Sequence, residues 1–189
     1  MRKLVTVLLT LALLAVGGAA ILLSPRDDDL SAPIEVPGAP GHLVAGRELA
    51  VTVTGVRLAR LVEYPEDRDP PSSTTSGVWV VVDATVAGGL QETSAQWSQL
   101  RLGGFTYDLA DDAGLSSLNG RSFAVGLPYR GSFVFEVSAA ALAHARSAEL
   151  VLRDSPNLIP DTVPVVRLDL TGIPVQSSVA VHDPGVVAR

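Results

Sequence analysis

The chain has 189 residues, and 47% of them are hydrophobic, enough for one domain with a core after an N-terminal targeting segment is set aside. Its formal net charge is −6. This acidic balance argues against nucleic acid as a partner and against a location flat on an anionic membrane surface, because both need a basic footprint. The absence of cysteine excludes a lipid-anchored cysteine, a zinc-thiolate site and thiol catalysis.

The N-terminus combines two basic residues with a long apolar run. Arg2 and Lys3 precede Leu4–Leu23, an uncharged stretch of 20 residues. As a helix it would span about 30 Å, the thickness of a bilayer core. It is therefore expected to form a signal-anchor transmembrane helix, with the N-terminus in the cytoplasm and the rest of the chain outside. The alternative is a cleavable signal peptide, with the small residues Gly18 and Ala20 before the cut, which would release a secreted protein.

Composition divides the chain into four segments. The residues that follow the anchor are rich in Pro, Asp and Gly and lack a hydrophobic period, which indicates a linker. Strand-like alternation begins after this linker, and the C-terminal residues return to an irregular pattern. The predicted organisation is a signal anchor at 1–23, a linker at 24–42, a β-sandwich at 43–172 and a C-terminal tail at 173–189.

Period-two alternation dominates the predicted sandwich. Alternate residues from Leu49 to Val53 are apolar, and Gly55 then breaks the phase, which predicts a β-bulge. The stretch from Val78 to Val86 is apolar at almost every position, which predicts a central strand covered on both faces. With turn signals at roughly 8–15-residue spacing, the pattern predicts an all-β, immunoglobulin-like β-sandwich of about 7–8 strands.

The segment LPYRGSFVFEVSAAAL, residues 127–142, is the most aromatic part of this pattern. Phe133, Phe135 and Val137 alternate, which predicts that they form the core-facing side of a strand. Ser138 and the alanines after it predict a short helix that carries the chain across the end of the sandwich.

Two stretches, GVWVVVDATVAGG (77–89) and LPYRGSFVFEVSAAAL (127–142), together resemble the telokin-like immunoglobulin-fold domain of bacterial surface and secreted proteins. That domain is often found on lipoproteins as a domain of unknown function, and the mycobacterial immunoprotective extracellular antigen belongs to its superfamily. Residues 82–86 match the first strand motif of the family, and residues 131–137 match the second. The chain departs from the family pattern at Gly88, Gly89, Tyr129, Arg130 and Ser138. The resemblance implies an extracytoplasmic immunoglobulin-like sandwich and supplies no catalytic residue.

The sequence lacks the residue constellations that catalysis needs. His42, His144 and His182 stand apart from one another and from carboxylates at metal-ligand spacing, and the chain has no G-x-S-x-G elbow. An acidic loop is a weak candidate for a metal site, although it lacks the regular calcium-loop spacing. Its carboxylates are those of Asp108, Asp111 and Asp112. We therefore expect a protein that is not an enzyme and that has no cofactor.

Asp83 lies inside a strongly apolar strand. A buried carboxylate needs an ionic or hydrogen-bonding partner, so one is expected on a neighbouring strand. The candidates are Arg101, Arg121 and Arg167. We interpret Asp83 as a structural residue and not as part of a site.

Candidate partner-binding residues come from the tryptophans and from one loop. Trp79 and Trp97 each allow two interpretations, a core residue or part of an exposed patch. The loop between the first two long strands combines charges with prolines, and its candidates are Glu63, Tyr64, Glu66, Asp67 and Arg68. The expected function is protein–protein interaction in the cell envelope by a membrane-tethered module. The alternative is a secreted protein that binds a small ligand or calcium.

Overall fold

The computed structural model describes residues 6, 10, 12–18, 33–65, 71–111, 116–155 and 161–187. The chain forms two compact units, one from the N-terminus to Ala32 together with residues 158–160, and one that contains the other residues. In the first unit, Thr6, Thr10 and residues 12–18 are helical, and the Thr10 hydroxyl donates a hydrogen bond to the Thr6 carbonyl at 2.9 Å.

Part of the predicted transmembrane helix lies outside the described residues. Residues 24–32 of the predicted linker lie wholly outside them. Within the described parts of the chain, no helix is both long enough and apolar enough to cross a membrane. The signal anchor therefore stays a prediction from the sequence.

The second unit is a β-sandwich with two main sheets. Its strands are β1 (Ile34–Gly38), β2 (Val44–Ala45), β3 (Leu49–Glu63), β4 (Ser72–Gly88), β5 (Thr93–Ser94), β6 (Gln99–Leu102), β7 (Phe105–Asp108), β8 (Ser122–Phe123), β9 (Tyr129–Val137), β10 (Ser147–Val151), β11 (Thr162–Asp169), β12 (Val175–Ala180) and β13 (Gly185–Val186). The five-stranded sheet has the order β1-β11-β10-β6-β7. The six-stranded sheet has the order β12-β3-β4-β9-β13, with β2 also paired to β3, and β5 pairs separately with β8.

The core lies between the two main sheets and follows from the alternation of side chains along each strand. On β4, alternate residues from Val78 to Val86 are buried and face inward. Phe133, Phe135 and Val137 of β9 are buried beside them. The five-stranded sheet contributes Leu100, Leu102, Leu150, Val166 and Leu168 to the same cluster. The β-sandwich class and the predicted core-facing side of β9 are therefore confirmed.

A β-bulge at Thr54 reverses the side-chain parity of β3. The register with β4 includes the pair Val53–Ala84 and resumes at Gly55–Asp83, so Thr54 is the extra residue. The break predicted at Gly55 is confirmed. As a result, Arg57 lies on the outer face of the six-stranded sheet, which is the face that points away from the five-stranded sheet.

The distal part of the β3–β4 hairpin curves over this outer face. A second register shift follows Ala59, and beyond it Val62 and Tyr64 pack in the same buried cluster as Val134 of β9. Val134 pairs with Val81, which in turn pairs with Arg57 in the middle of β3. The end of the hairpin must therefore bend back over the sheet to pack near Val134. This outer cluster consists of Ala59, Val62, Tyr64, Trp79, Val81, Val134, Val179 and Val181.

Three segments that the sequence assigns to irregular chain are strands. Ile34–Gly38, in the predicted linker, pairs in parallel with β11, and Val175–Ala180, in the predicted tail, pairs in parallel with β3. Residues 72–77, in the predicted loop, form the start of β4. These segments are short and rich in Pro, Ser or Thr, so their pairing with distant strands leaves little local signal.

The number of strands is also larger than predicted. The described residues form thirteen strands instead of about 7–8, and four of the thirteen are only two residues long. The short helix after Ser138 is confirmed as α1 (Ala139–His144), although the Ser138 side chain makes no capping hydrogen bond. Gly103 and Gly104 form the tight turn between β6 and β7, with φ of 60° and 84° that favour glycine.

Replacing Phe135 with Ala tests the position of the core. Phe135 is fully buried, so we expect the free energy of unfolding to fall by about 3–5 kcal/mol from lost burial and a residual cavity. The matched control is Phe105→Ala, since Phe105 is 63% exposed and its loss should change stability by only about 0.5 kcal/mol. Urea denaturation followed by tryptophan fluorescence measures both, and a similar loss for the two variants would contradict the assignment of the core.

Candidate binding surfaces

Asp83 lies at the centre of a polar network on the outer face of the six-stranded sheet. Arg57 holds its carboxylate with two hydrogen bonds, from Nε to Oδ2 at 2.7 Å and from Nη2 to Oδ1 at 2.6 Å. The Ser132 hydroxyl donates to Oδ1 at 2.6 Å, and the Thr54 hydroxyl donates to the Asp83 carbonyl at 3.1 Å. Such a bidentate pair fixes both the charge and the orientation of each side chain.

The predicted partners of Asp83 are wrong, and the register shows why. Arg57 lies opposite Val81, two residues from Asp83 on the same face, so the two side chains meet on the diagonal across β3 and β4. Arg101 and Arg167 belong to the other sheet, where the Arg101 guanidinium bonds the Glu35 carboxylate at 2.6 Å. Arg121 precedes β8 and makes no ion pair within the described residues. The bulge at Thr54 is what turns Arg57 toward Asp83.

Hydrogen bonds at both ends hold the C-terminal segment over this network. Arg57 Nη1 donates to the Ala180 carbonyl at 2.9 Å, and the backbone N–H of Val187 donates to the Pro128 carbonyl at 2.9 Å. Between these points the chain leaves β12 at one edge of the six-stranded sheet and pairs as β13 with β9 at the other edge. It thereby passes over the outer face of the sheet.

A cleft of about 500 Å³ opens between the network and this C-terminal segment, and we call it the outer cleft. Its floor includes Thr54, Arg57, Asp83 and Ser132, and its walls include Arg130, His182, Asp183 and residues 185–187. The volume lies within the range of about 300–1,000 Å³ that is typical of small-molecule sites.

The walls of the outer cleft carry two charges, those of Arg130 and Asp183, that no described residue compensates. Arg130, His182 and Asp183 are exposed, and their side chains make no ion pair or hydrogen bond with any described residue. The sequence pattern marks neither Arg130 nor Asp183 as a site residue, and it predicts no ligand role for His182. They come together only because β13 pairs with β9, and no local pattern indicates that pairing.

A second surface lies at the adjoining end of the sandwich. Leu90, Val125, Leu127 and Val186 are exposed by 70%, 56%, 37% and 53%. Backbone contacts join their chain segments, since Gly88 bridges to Val125 and the segments of Leu127 and Val186 meet at the bond from Val187 to Pro128. We call these four residues the end patch. Because Val186 also lines the outer cleft, the two surfaces are continuous.

The predicted partner-binding residues differ in their exposure to solvent. Trp79 is buried in the outer cluster, where its indole N–H donates to the Ser73 carbonyl at 3.1 Å, so the exposed-patch interpretation is wrong for this residue. Tyr64 is buried in the same cluster, which removes it as an exposed candidate. Glu63 is exposed at the end of β3, and Trp97 is 46% exposed, so both remain available to a partner. The other three candidates, Glu66, Asp67 and Arg68, lie outside the described residues.

The predicted acidic loop does not form a metal centre in the part of the chain that the structure describes. Asp108 Oδ1 accepts a hydrogen bond from Gln99 Nε2 at 2.9 Å, and Asp111 is exposed. Asp112 lies outside the described residues. Among the described His, Cys, Asp and Glu residues, no group of three is placed to hold a metal ion.

Comparisons with known proteins give similarities of structure alone. No family model and no curated protein matches the chain. An uncharacterized β-sandwich protein from Clostridium difficile 630 shares 13% sequence identity with a TM-score of 0.46, over 75% of this chain and 99% of that one. A putative lipoprotein from Staphylococcus aureus subsp. aureus NCTC 8325 shares 7% identity with a TM-score of 0.44, over 75% of this chain and 97% of that one. The β-sandwich assignment rests on the strand pairing of this chain itself.

Asp83→Asn tests the network, because it removes the charge that compensates Arg57 and keeps the side-chain shape. We expect the free energy of unfolding to fall by about 1–3 kcal/mol. The loss is smaller than for a fully buried pair because the side chains of Arg57 and Asp83 are 32% and 28% exposed.

The matched control is Glu35→Gln, which disrupts the Arg101–Glu35 pair of the same 2.6 Å length. Those side chains are 39% and 43% exposed, so the expected loss is below about 1 kcal/mol. Chemical denaturation compares the two, and an Asp83→Asn loss no larger than the control would show that the network adds little stability.

Proposed function

We propose that this protein is a non-enzymatic binding module with an immunoglobulin-like, telokin-type sandwich, tethered to the outer side of the cytoplasmic membrane. In this proposal it takes part in the cell envelope by binding a protein partner at the end patch. The observation that carries the proposal is the exposure of four apolar side chains on adjoining segments at one end of the sandwich.

The physical argument is the cost of leaving these side chains in water. Isolated exposed apolar residues are common on soluble domains, but adjoining ones that are rimmed by polar groups mark interaction sites. Sandwich domains commonly bind partners through the loops at one end, and Leu90, Val125 and Leu127 lie in such loops. A protein with a complementary apolar surface would bury them. The charges of the outer cleft would then lie at the border of that interface.

The tether is supported by the N-terminal sequence. Arg2 and Lys3 favour retention of the N-terminus in the cytoplasm, and Leu4–Leu23 is long enough to span a bilayer. The resemblance to the domain of bacterial surface proteins supports the same side of the membrane. The same resemblance supplies no catalytic residue, which supports a binding role in preference to catalysis.

Site-specific crosslinking in cells tests the end patch. We expect a photoreactive amino acid at Val125 to give a discrete covalent adduct with one protein, because the partner covers that side chain. Leu90→Ser in the same background should reduce the adduct several-fold, since it replaces an apolar contact 70% exposed in the free protein. The control places the photoreactive group at Thr106, which is exposed on a strand of the other sheet. Equal adducts at the two positions, or none at Val125, would reject the end patch as the interface.

N-terminal sequencing of the protein from cell fractions tests the tether. We expect an intact Met1 and recovery with membranes, because a retained apolar helix holds the chain in the bilayer. A mature N-terminus near Ile21 and recovery in the culture medium would instead support the secreted alternative.

A further inference from the structure

We propose that the outer cleft is a binding site for a small zwitterionic molecule, one that carries a carboxylate and an ammonium group in the manner of a free amino acid or a short peptide. This inference goes beyond the proposed function, since it assigns a small-molecule ligand to a surface other than the end patch.

The floor of the cleft is held in place by hydrogen bonds, and its two charges neutralise each other. Asp83 Oδ1 accepts hydrogen bonds from Arg57 and Ser132, and Oδ2 accepts another from Arg57. Arg57 also donates to the Ala180 carbonyl. The two charges therefore compensate each other, and neither needs a ligand for neutralisation. Arg57 retains one unused N–H on each of its terminal nitrogens, and these can add hydrogen bonds to an acceptor in the cleft.

The walls, in contrast, present one cation and one anion, Arg130 and Asp183, and neither forms an ion pair with any residue that the structure describes. Arg130 projects from β9, and Asp183 lies in the C-terminal segment two residues before Gly185, which pairs with Arg130. Two residues of extended chain correspond to about 7 Å, so the two backbone positions are near each other. Their side chains nevertheless form no ion pair with each other. A molecule that brings opposite charges a few bonds apart can satisfy both.

The balance of charge selects against ligands of a single sign. Arg57 and Arg130 oppose Asp83 and Asp183, so these four side chains sum to zero formal charge. A simple anion would be attracted by Arg130 and repelled by Asp183, and a simple cation would meet the reverse. A zwitterion gains at both walls, because each of its charged groups pairs with the wall of opposite sign.

The remaining wall of the cleft is apolar and leaves room for an uncharged part of the ligand. Val186 and Val187 line the cleft on the C-terminal side, and the cavity of about 500 Å³ exceeds what the charged groups alone would fill. An aliphatic side chain would pack there. His182 adds a ring nitrogen that can donate or accept a hydrogen bond at the rim.

Isothermal titration calorimetry on the full chain tests the ligand class. The probes are L-leucine and L-leucyl-glycine, with N-acetyl-L-leucine, which lacks the ammonium group, and L-leucinamide, which lacks the carboxylate. We expect saturable binding of at least one zwitterionic probe and affinity about tenfold lower for both blocked analogues, as loss of one charged contact implies. No heat from either zwitterion at millimolar concentration would overturn the proposal. N-acetyl-L-leucine or L-leucinamide binding as tightly as L-leucine would also overturn it.

Charge-removing variants locate the site. We expect Arg130→Gln and Asp183→Asn each to weaken the best zwitterionic probe about tenfold, because each loses one of the two charged contacts. The matched controls are Arg167→Gln and Asp169→Asn, two exposed residues on β11 of the five-stranded sheet, which should leave the affinity unchanged. Equal weakening by the controls would place binding elsewhere and overturn the assignment. Failure of the cleft and failure of the end patch are separate outcomes, because the calorimetry contains no protein partner and the crosslinking detects a protein adduct at Val125.

Discussion

The organisation of this domain depends on the burial of β4 on both of its faces. Its inward residues pack against the five-stranded sheet, and its outward residues Trp79 and Val81 are equally buried. A sheet in a two-layer sandwich ordinarily needs cover on one face only. Here the second face must also be shielded from water, because exposing Trp79 and Val81 would forfeit roughly 25 cal/mol for each Å² of apolar surface. The bent end of the β3–β4 hairpin and the C-terminal segment supply that cover.

The outer face of β4 is covered only as far as its outward residues are apolar. At Asp83 the outer face carries a carboxylate, and the bulge at Thr54 brings Arg57 to the same face to compensate it. The same guanidinium also holds the C-terminal segment through Ala180. One residue insertion in β3 thus has two consequences, a neutralised charge at the sheet surface and an anchored chain above it. The outer cleft lies between them, since the segment does not pack down on the polar part of the face.

The outer cleft and the end patch share Val186, and this continuity relates the two proposals. A protein partner on the end patch would border the cleft, so a bound zwitterion would alter the charge at the edge of that interface. Such an arrangement would couple the two ligands, with each changing the affinity for the other by the same factor. The end patch is formed mainly by loops, whereas the floor of the outer cleft is formed by β3, β4 and β9 and its walls by Arg130 and the C-terminal segment.

The sequence by itself determined the β-sandwich class, the central position of β4, the core face of β9 and the break at Gly55. Each of these follows from the local alternation of apolar residues or from a glycine that interrupts it. It also identified Asp83 as a carboxylate in need of a partner. Only the tertiary structure decided that the partner is Arg57, that Trp79 is buried, and that the predicted linker and tail contribute β1 and β12. Arg130 and Asp183 lie more than 50 residues apart in sequence, and they share one cleft only through the pairing of β13 with β9. Long-range strand pairing is set by which apolar surfaces remain to be covered once the local strands have formed, and that information is absent from any single stretch of the chain.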